Sequence, residues 1–157
     1  MCAASALVVV HRGMEELECI ASVDLLRRAG TAVTLAYLGD GSDAPGAEKA
    51  VVGKNGITVL ADTQLSELPK DAVFDLVMIP GGPGVPGLRK TGEAAGLLKQ
   101  QALRGGWIGC ICAAPVLLKD AGLLEGRRYS CHPSVAKELP DGMTDDVVID
   151  GLSAIRR

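Results

Sequence analysis

Apolar residues come in short runs along the chain, separated by polar and turn-forming positions. Residues 6 to 11 (ALVVVH) form a continuous β-branched run with no polar alternation, which predicts a strand covered on both faces. Gly13 ends it. The segment 15 to 29 (EELECIASVDLLRRA) opens on acidic residues and closes on Arg27 and Arg28 before Gly30, the charge order and terminal glycine of a helix. A second run at 32 to 38 (AVTLAYL) then completes a strand, helix, strand unit.

Residues 39 to 49 (GDGSDAPGAEK) read as a polar loop, and AVVG and ITVL on either side of Lys54-Asn55-Gly56 predict a small antiparallel hairpin. The run 74 to 80 (FDLVMIP) predicts another buried strand, ended by PGGPGVPG. A helix is expected at 92 to 104 and a strand at 107 to 111 (WIGCI). Ala113, Ala114 and Pro115 lead from there into a helix over VLLKDAGLL, with Pro115 tolerated in its first turn. RRYSCHP near 127 to 133 and VVID at 147 to 150 read as two further strands around a short helix. Strand and helix chemistry alternate throughout, which is the α/β signature. With no internal repeat or linker, residues 1 to 157 are expected to form a single domain.

Composition narrows the function classes. Of 157 residues 48% are hydrophobic, only 3% aromatic, and the net charge is -3, so the basic footprint and stacking platforms of a nucleic-acid binder are lacking. No apolar run nears the ~20 residues of a membrane span, and no basic segment precedes the apolar start at Ala3 to Val10. A cytoplasmic protein is the expectation. Five cysteines, an odd number, point to free thiols in a reducing compartment. Cys110 and Cys112 are one residue apart and only two histidines are present, a poor set for zinc, so no metal site is expected.

Several features could carry chemistry. Cys112 lies where a strand turns sharply into a helix, among small residues, at the sheet edge where α/β proteins bind ligands. Backbone N–H groups there favour a thiolate; an inert buried cysteine is the plain alternative. Cys110, two residues earlier in the strand, reads as core. Gly81 and Gly82 follow a buried strand and let N–H groups approach a developing oxyanion, although a tight turn alone would use the same residues. Glu18 shares a helical face with Ala21, Ser22 and Leu25, which should meet the sheet. A carboxyl at such a buried edge can hold or exchange a proton, whereas Glu15 and Glu16 read as acids placed to suit the helix dipole. His132 ends a short strand as a candidate base or orienting partner, and His11, at the end of the first strand, is a weaker one.

Taken in order, LVVVHRGMEELE with VDLLRRAG, FDLVMIPGGPG, GCICAAPVLL and CHPSVAKEL resemble the ThiJ/PfpI superfamily, in the branch of the Parkinsonism-associated protein deglycase, over residues 5 to about 151. The resemblance implies a flavodoxin-like three-layer sandwich with a mostly parallel sheet, and a homodimer. It makes Cys112 the nucleophile, Glu18 its carboxyl partner and His132 the nearby histidine. The backbone at Gly81 and Gly82, with Ala113 beside the cysteine, would form the oxyanion and substrate-binding part. It also implies a cofactor-independent, glutathione-independent glyoxalase or deglycase acting on methylglyoxal, related reactive aldehydes or glycation adducts, with an oxidation-sensitive cysteine. The alternative is a non-enzymatic redox sensor or redox-regulated chaperone using the same thiol.

The protease-like branch has a histidine directly after the elbow cysteine. Ala113 stands there instead, against peptidase chemistry. Lys54-Asn55 occupies the hairpin position where close relatives carry an Arg. The family continues beyond Val147 to Gly151 into a strand and a long final helix, whereas this sequence stops at Ile155-Arg156-Arg157. A sheet lacking that strand and helix, with one flank uncovered, is therefore expected.

Overall fold

The computed structural model describes residues 4–41, 49–142 and 147–150. Cys2, the middle of the polar loop and the residues from Gly151 onward lie outside them, so expectations there have no structural counterpart. Five strands, β1 (Ser5–Val10), β2 (Ala32–Tyr37), β5 (Thr63–Gln64), β6 (Leu76–Ile79) and β7 (Trp107–Cys110), form one sheet in the order β5-β2-β1-β6-β7. All its pairings are parallel, from Ser5 opposite Ala32 in β1 and β2 to Ile79 opposite Cys110 in β6 and β7. A separate antiparallel hairpin joins β3 (Ala50–Val52) to β4 (Thr58–Leu60). This is a flavodoxin-like α/β fold.

The unbroken apolar runs are explained by what covers them. Along β1, Leu7 and Val9 enter one core with residues of α2 (Val85–Thr91), α3 (Glu93–Leu103) and α4 (Pro115–Asp120), while Val8 and Val10 enter the other with Cys19 and Val23 of α1 (Glu16–Arg28) and Val51 of the hairpin. Successive side chains point to opposite faces, so a strand buried on both sides needs no polar position. From β1 the chain moves outward to β2 in one direction and from β6 to β7 in the other. The order reverses between β1 and β6, where open parallel sheets leave a crevice at the strands' carboxyl ends.

Four expectations need correction. The segment after β6 contains the helix α2, which its prolines and glycines obscured. Pro86 lies in its first turn, where a missing N–H costs nothing, and Val85 and Leu88, three apart, are buried. The expected strands near 127 to 133 and at 147 to 150 are, among the described residues, only the single bridge positions Ser130 and Asp150. Val147 and Ile149 are exposed rather than paired into a sheet. The short helix between them is a single 3₁₀ turn, Pro133–Val135. Lastly, the face of α1 holding Ala21, Ser22 and Leu25 does not meet the sheet: Leu25 is 65% exposed, and the buried positions are Glu16, Cys19 and Val23.

Glu16 shows why the helix is turned this way. Its carboxylate is 3% exposed and accepts from Asn55 N at 2.6 Å, Asn55 Nδ2 at 2.9 Å and Ile57 N at 3.3 Å. It satisfies the hairpin turn's N–H groups and fastens the hairpin to α1. Gly53 sits so close to this carboxylate that a Cβ there would displace it. Among the described residues, no helix is long and apolar enough to cross a membrane.

Candidate active site

Cys112 follows β7 at the start of the turn that leads into α4, with φ of 61°, the one non-glycine residue of positive φ among those described. Holding a side chain there costs about 1–3 kcal/mol, strain of a kind that clusters at active sites. The turn is closed by Ala114 N donating to Ile111 O at 3.0 Å. The loop after β6 packs directly against it. A Cβ on Gly81 would lie 2.6 Å from Cys112 Cβ and 2.9 Å from Ala113 N. Gly82 has φ of 108°, and a Cβ there would run into the backbone of Gly13 and Met14. Both glycines are demanded by close approach of backbone to backbone.

Glu18 reaches this point because it lies in the first turn of α1, at the carboxyl edge of β1 and β6, not because its helical face meets the sheet. Glu15 caps the helix by accepting from Glu18 N at 2.9 Å, and Glu15 N donates to Gly81 O at 3.0 Å, which ties the helix start to the glycine loop. Glu18 Oε2 accepts from Gly81 N at 2.8 Å, and the same carboxylate comes within hydrogen-bonding reach of the Cys112 thiol. The backbone N–H groups of Gly82 and Ala113 also reach the sulfur. Burial first, and then the charge and hydrogen bond of Glu18, push the Cys112 thiol above its ordinary pKa; the two N–H groups pull it down without prevailing. The thiolate expected from the backbone N–H groups alone is therefore not the favoured resting form.

Cys112, Gly82 and Ala113 border a cavity of about 570 Å³, whereas Glu18 and Gly81 are not on its lining. Gly82, Cys112, Ala113, Val116, His132 and Lys54 are among its lining residues. His132 caps the 3₁₀ turn Pro133–Val135, and its backbone N–H donates to Cys112 O at 2.8 Å, so the histidine segment is fastened to the elbow. The imidazole Nδ1 lies 2.9 Å from Ser134 Oγ and accepts from Ser134 N at 3.1 Å. Arg89 of α2 grips Asp120 with two hydrogen bonds, at 2.7 and 2.8 Å, and Glu138 with one at 2.8 Å, and so braces the same wall.

The six residues singled out from sequence, Cys112, Glu18, His132, Gly81, Gly82 and Ala113, are thus brought together. His11 is not. It is 1% exposed, with its ring nitrogens 3.1 Å from Arg12 O and 3.2 Å from Pro80 O, supporting the glycine loop from beneath, and burial lowers its pKa. Cys110 packs against the core with its thiol pushed up to about 12 by burial. The cavity roles of Lys54, Arg89 and Ser134 escaped the sequence reading, because each depends on a tertiary neighbour. Only the turn-forming Lys54-Asn55-Gly56 hinted at one of them. Among the described residues no three His, Cys, Asp or Glu side chains converge as metal ligands.

Comparison with known proteins finds relatives along nearly the whole chain. The profile of the DJ-1/PfpI family matches residues 4–152. Protein dj-1beta of Drosophila melanogaster is 39% identical over 154 residues, 94% of this chain and 77% of that protein. Glutathione-independent glyoxalase DJR-1.2 of Caenorhabditis elegans is 34% identical, over 92% of this chain and 75% of that one. Of four further curated relatives the chain spans between 29% and 69% of the length. Among solved structures, oxidized Toxoplasma gondii DJ-1 superposes with a TM-score of 0.82 at 27% identity, covering 96% of this chain and 80% of that one.

Proposed function

The chain belongs to the DJ-1/PfpI family, and we propose that within it this protein is a cysteine-dependent glyoxalase that converts methylglyoxal and related 2-oxoaldehydes to 2-hydroxy acids, working as a single-domain homodimer in the cytoplasm without glutathione or cofactor. One observation carries the reading. Cys112 lines a cavity large enough for a three-carbon aldehyde, and its thiol lies within the electrostatic and hydrogen-bonding reach of the Glu18 carboxylate. A relative named for the same activity supports it.

The chemistry needs nothing beyond substrate and water. As the sulfur attacks the aldehyde carbon, the thiol proton passes to Glu18, and the carbonyl π pair moves onto oxygen. That oxygen takes the proton back from Glu18 and becomes the hydroxyl of a hemithioacetal. Glu18 then moves the proton of the former aldehyde carbon to the neighbouring ketone oxygen, giving an enediol, and next takes the proton of the first hydroxyl and delivers one to the neighbouring carbon, leaving a thioester of the 2-hydroxy acid. Water hydrolyses the thioester to lactate and the free thiol. The shift of hydrogen between adjacent carbons oxidises one and reduces the other, so no external redox partner enters. A general acid or base step of this kind is worth about 10²- to 10⁴-fold, and an amide aimed at a developing oxyanion adds a comparable factor of about 10²- to 10³-fold. Early glycation adducts, which are also carbonyl derivatives, are the natural second substrate class.

The same contact favours a second reading, oxidation sensing, since a carboxyl beside the sulfur is placed to hold a sulfinate. One experiment separates the two: lactate formation from methylglyoxal, with EDTA and without glutathione, by wild type and Cys112→Ser. Turnover lost with the thiol supports the enzyme. Equal rates in both proteins, with Cys112 still selectively alkylated, assign the thiol to sensing.

A further inference from the structure

We infer that Ser134 is a positioning residue that fixes the tautomer of His132, so that the ring presents Nε2–H, a hydrogen-bond donor, to the cavity. The placement follows from hydrogen bonding alone; its catalytic consequence rests on the function proposed above. His132 Nδ1 accepts from Ser134 N at 3.1 Å and lies 2.9 Å from Ser134 Oγ. A backbone N–H can only donate, so the lone pair of Nδ1 is directed at it, and the proton of the neutral ring sits on Nε2. The Ser134 hydroxyl reinforces the arrangement by donating to the same nitrogen. The segment is not free to turn away: His132 N is bonded to Cys112 O at 2.8 Å, and Pro133 opens the 3₁₀ turn that the ring caps. His132, Ser134 and Cys112 share one cavity lining.

This divides the labour between Glu18 and His132. Glu18 touches the sulfur, whereas a ring whose Nδ1 is occupied and whose Nε2 is protonated has no lone pair to offer the thiol. His132 is therefore a donor to substrate oxygen, not the base that activates the cysteine. As the sulfur attacks, the thiol proton goes to Glu18 and the charge arriving on the carbonyl oxygen is met by Nε2–H, which keeps its proton. Loss of the Ser134 hydroxyl leaves the backbone N–H in place but weakens the hold on Nδ1, so the ring samples the other tautomer and other rotamers.

The test is ¹⁵N NMR of the full chain labelled at histidine, which has two such residues, with His11→Asn to assign the rings. In wild type the expected result is a protonated Nε2 and an unprotonated Nδ1 for His132. Ser134→Ala should draw the two ring shifts together, as tautomers mix. It should also lower kcat for methylglyoxal about two- to tenfold, the range of one ordinary hydrogen bond, with KM little changed. Ser134→Thr should restore both. A proton on Nδ1 in wild type, or ring shifts unmoved by Ser134→Ala, overturns the inference. A wild type without turnover would remove the proposed function, yet the ring shifts would still decide the placement.

Discussion

At the scale of single residues, the site is a contest over one proton. Burial and the Glu18 carboxylate raise the Cys112 thiol, and two backbone N–H groups oppose them. Glu18→Gln removes the negative charge, so the thiol should titrate lower and react with iodoacetamide faster near pH 7 than in wild type. Turnover should meanwhile fall about 10²- to 10⁴-fold, because an amide cannot exchange protons. Alkylation rates followed against pH by mass spectrometry give the answer; slower alkylation in Glu18→Gln would show that the carboxylate does not oppose the thiolate. Cys19 and Cys110, both pushed up to about 12 by burial alone, should be labelled after Cys112 in either protein. The elbow was legible in the sequence because cysteine, small residues and proline after a strand permit few conformations. Glu18 was identified on a mistaken face, and its true warrant, a first-turn position beside the glycine loop, needs the register of β1 against β6. Ser134 carries no such signal, since a serine after His-Pro looks like any turn residue.

At the scale of elements, the strands were legible wherever burial on both faces leaves an unbroken apolar run, as in β1, β2, β6 and β7. Where pairing is two residues long, as in β5 at Thr63–Gln64, no periodicity can form. In α2 the helix depends on packing of Val85 and Leu88 and overrides the turn chemistry around it. The hairpin was predicted from its turn, but its attachment through Glu16 was not, because a buried carboxylate satisfied by a turn's N–H groups reads in sequence as one more acid at a helix start. Burial alone would push that carboxyl up; its own N–H and the donors of Asn55 and Ile57 outweigh burial and hold it below the usual carboxylate range. A folded pKa below the unfolded one contributes stability that is present above the unfolded value, near pH 4.5, and is lost as pH falls through the folded one. Glu16→Gln should therefore be less stable than wild type at neutral pH, and its stability should fall less on acidification below about pH 4.5. Urea unfolding at pH 7 and at about pH 3.5 measures both, and equal pH dependence in the two proteins would show that Glu16 does not carry the effect.

At the scale of the whole molecule, the helix that delivers Glu18 also presents an apolar surface to solvent. Leu17 is 74% exposed and Ile20 lies one turn on, while the hairpin fastened to the same helix by Glu16 exposes Val52, Ile57 and Leu60. These exposed apolar side chains are the candidate surface for the proposed homodimer. The sheet can be built without a partner, since all its described pairings lie within one chain. Dimer contacts would then act on the site through the orientation of α1. Leu17→Glu combined with Leu60→Glu should yield a folded monomer by light scattering, with unchanged far-UV circular dichroism. Its turnover should be lower, because Glu18 follows Leu17 directly and its grip on Gly81 and the thiol depends on how α1 is seated. Selective alkylation of Cys112 should survive in that monomer, because the elbow is held by β7, α4 and the glycine loop of the same chain. A wild type that is already monomeric at micromolar concentration would end the dimer reading and leave the exposed patch without an assigned role.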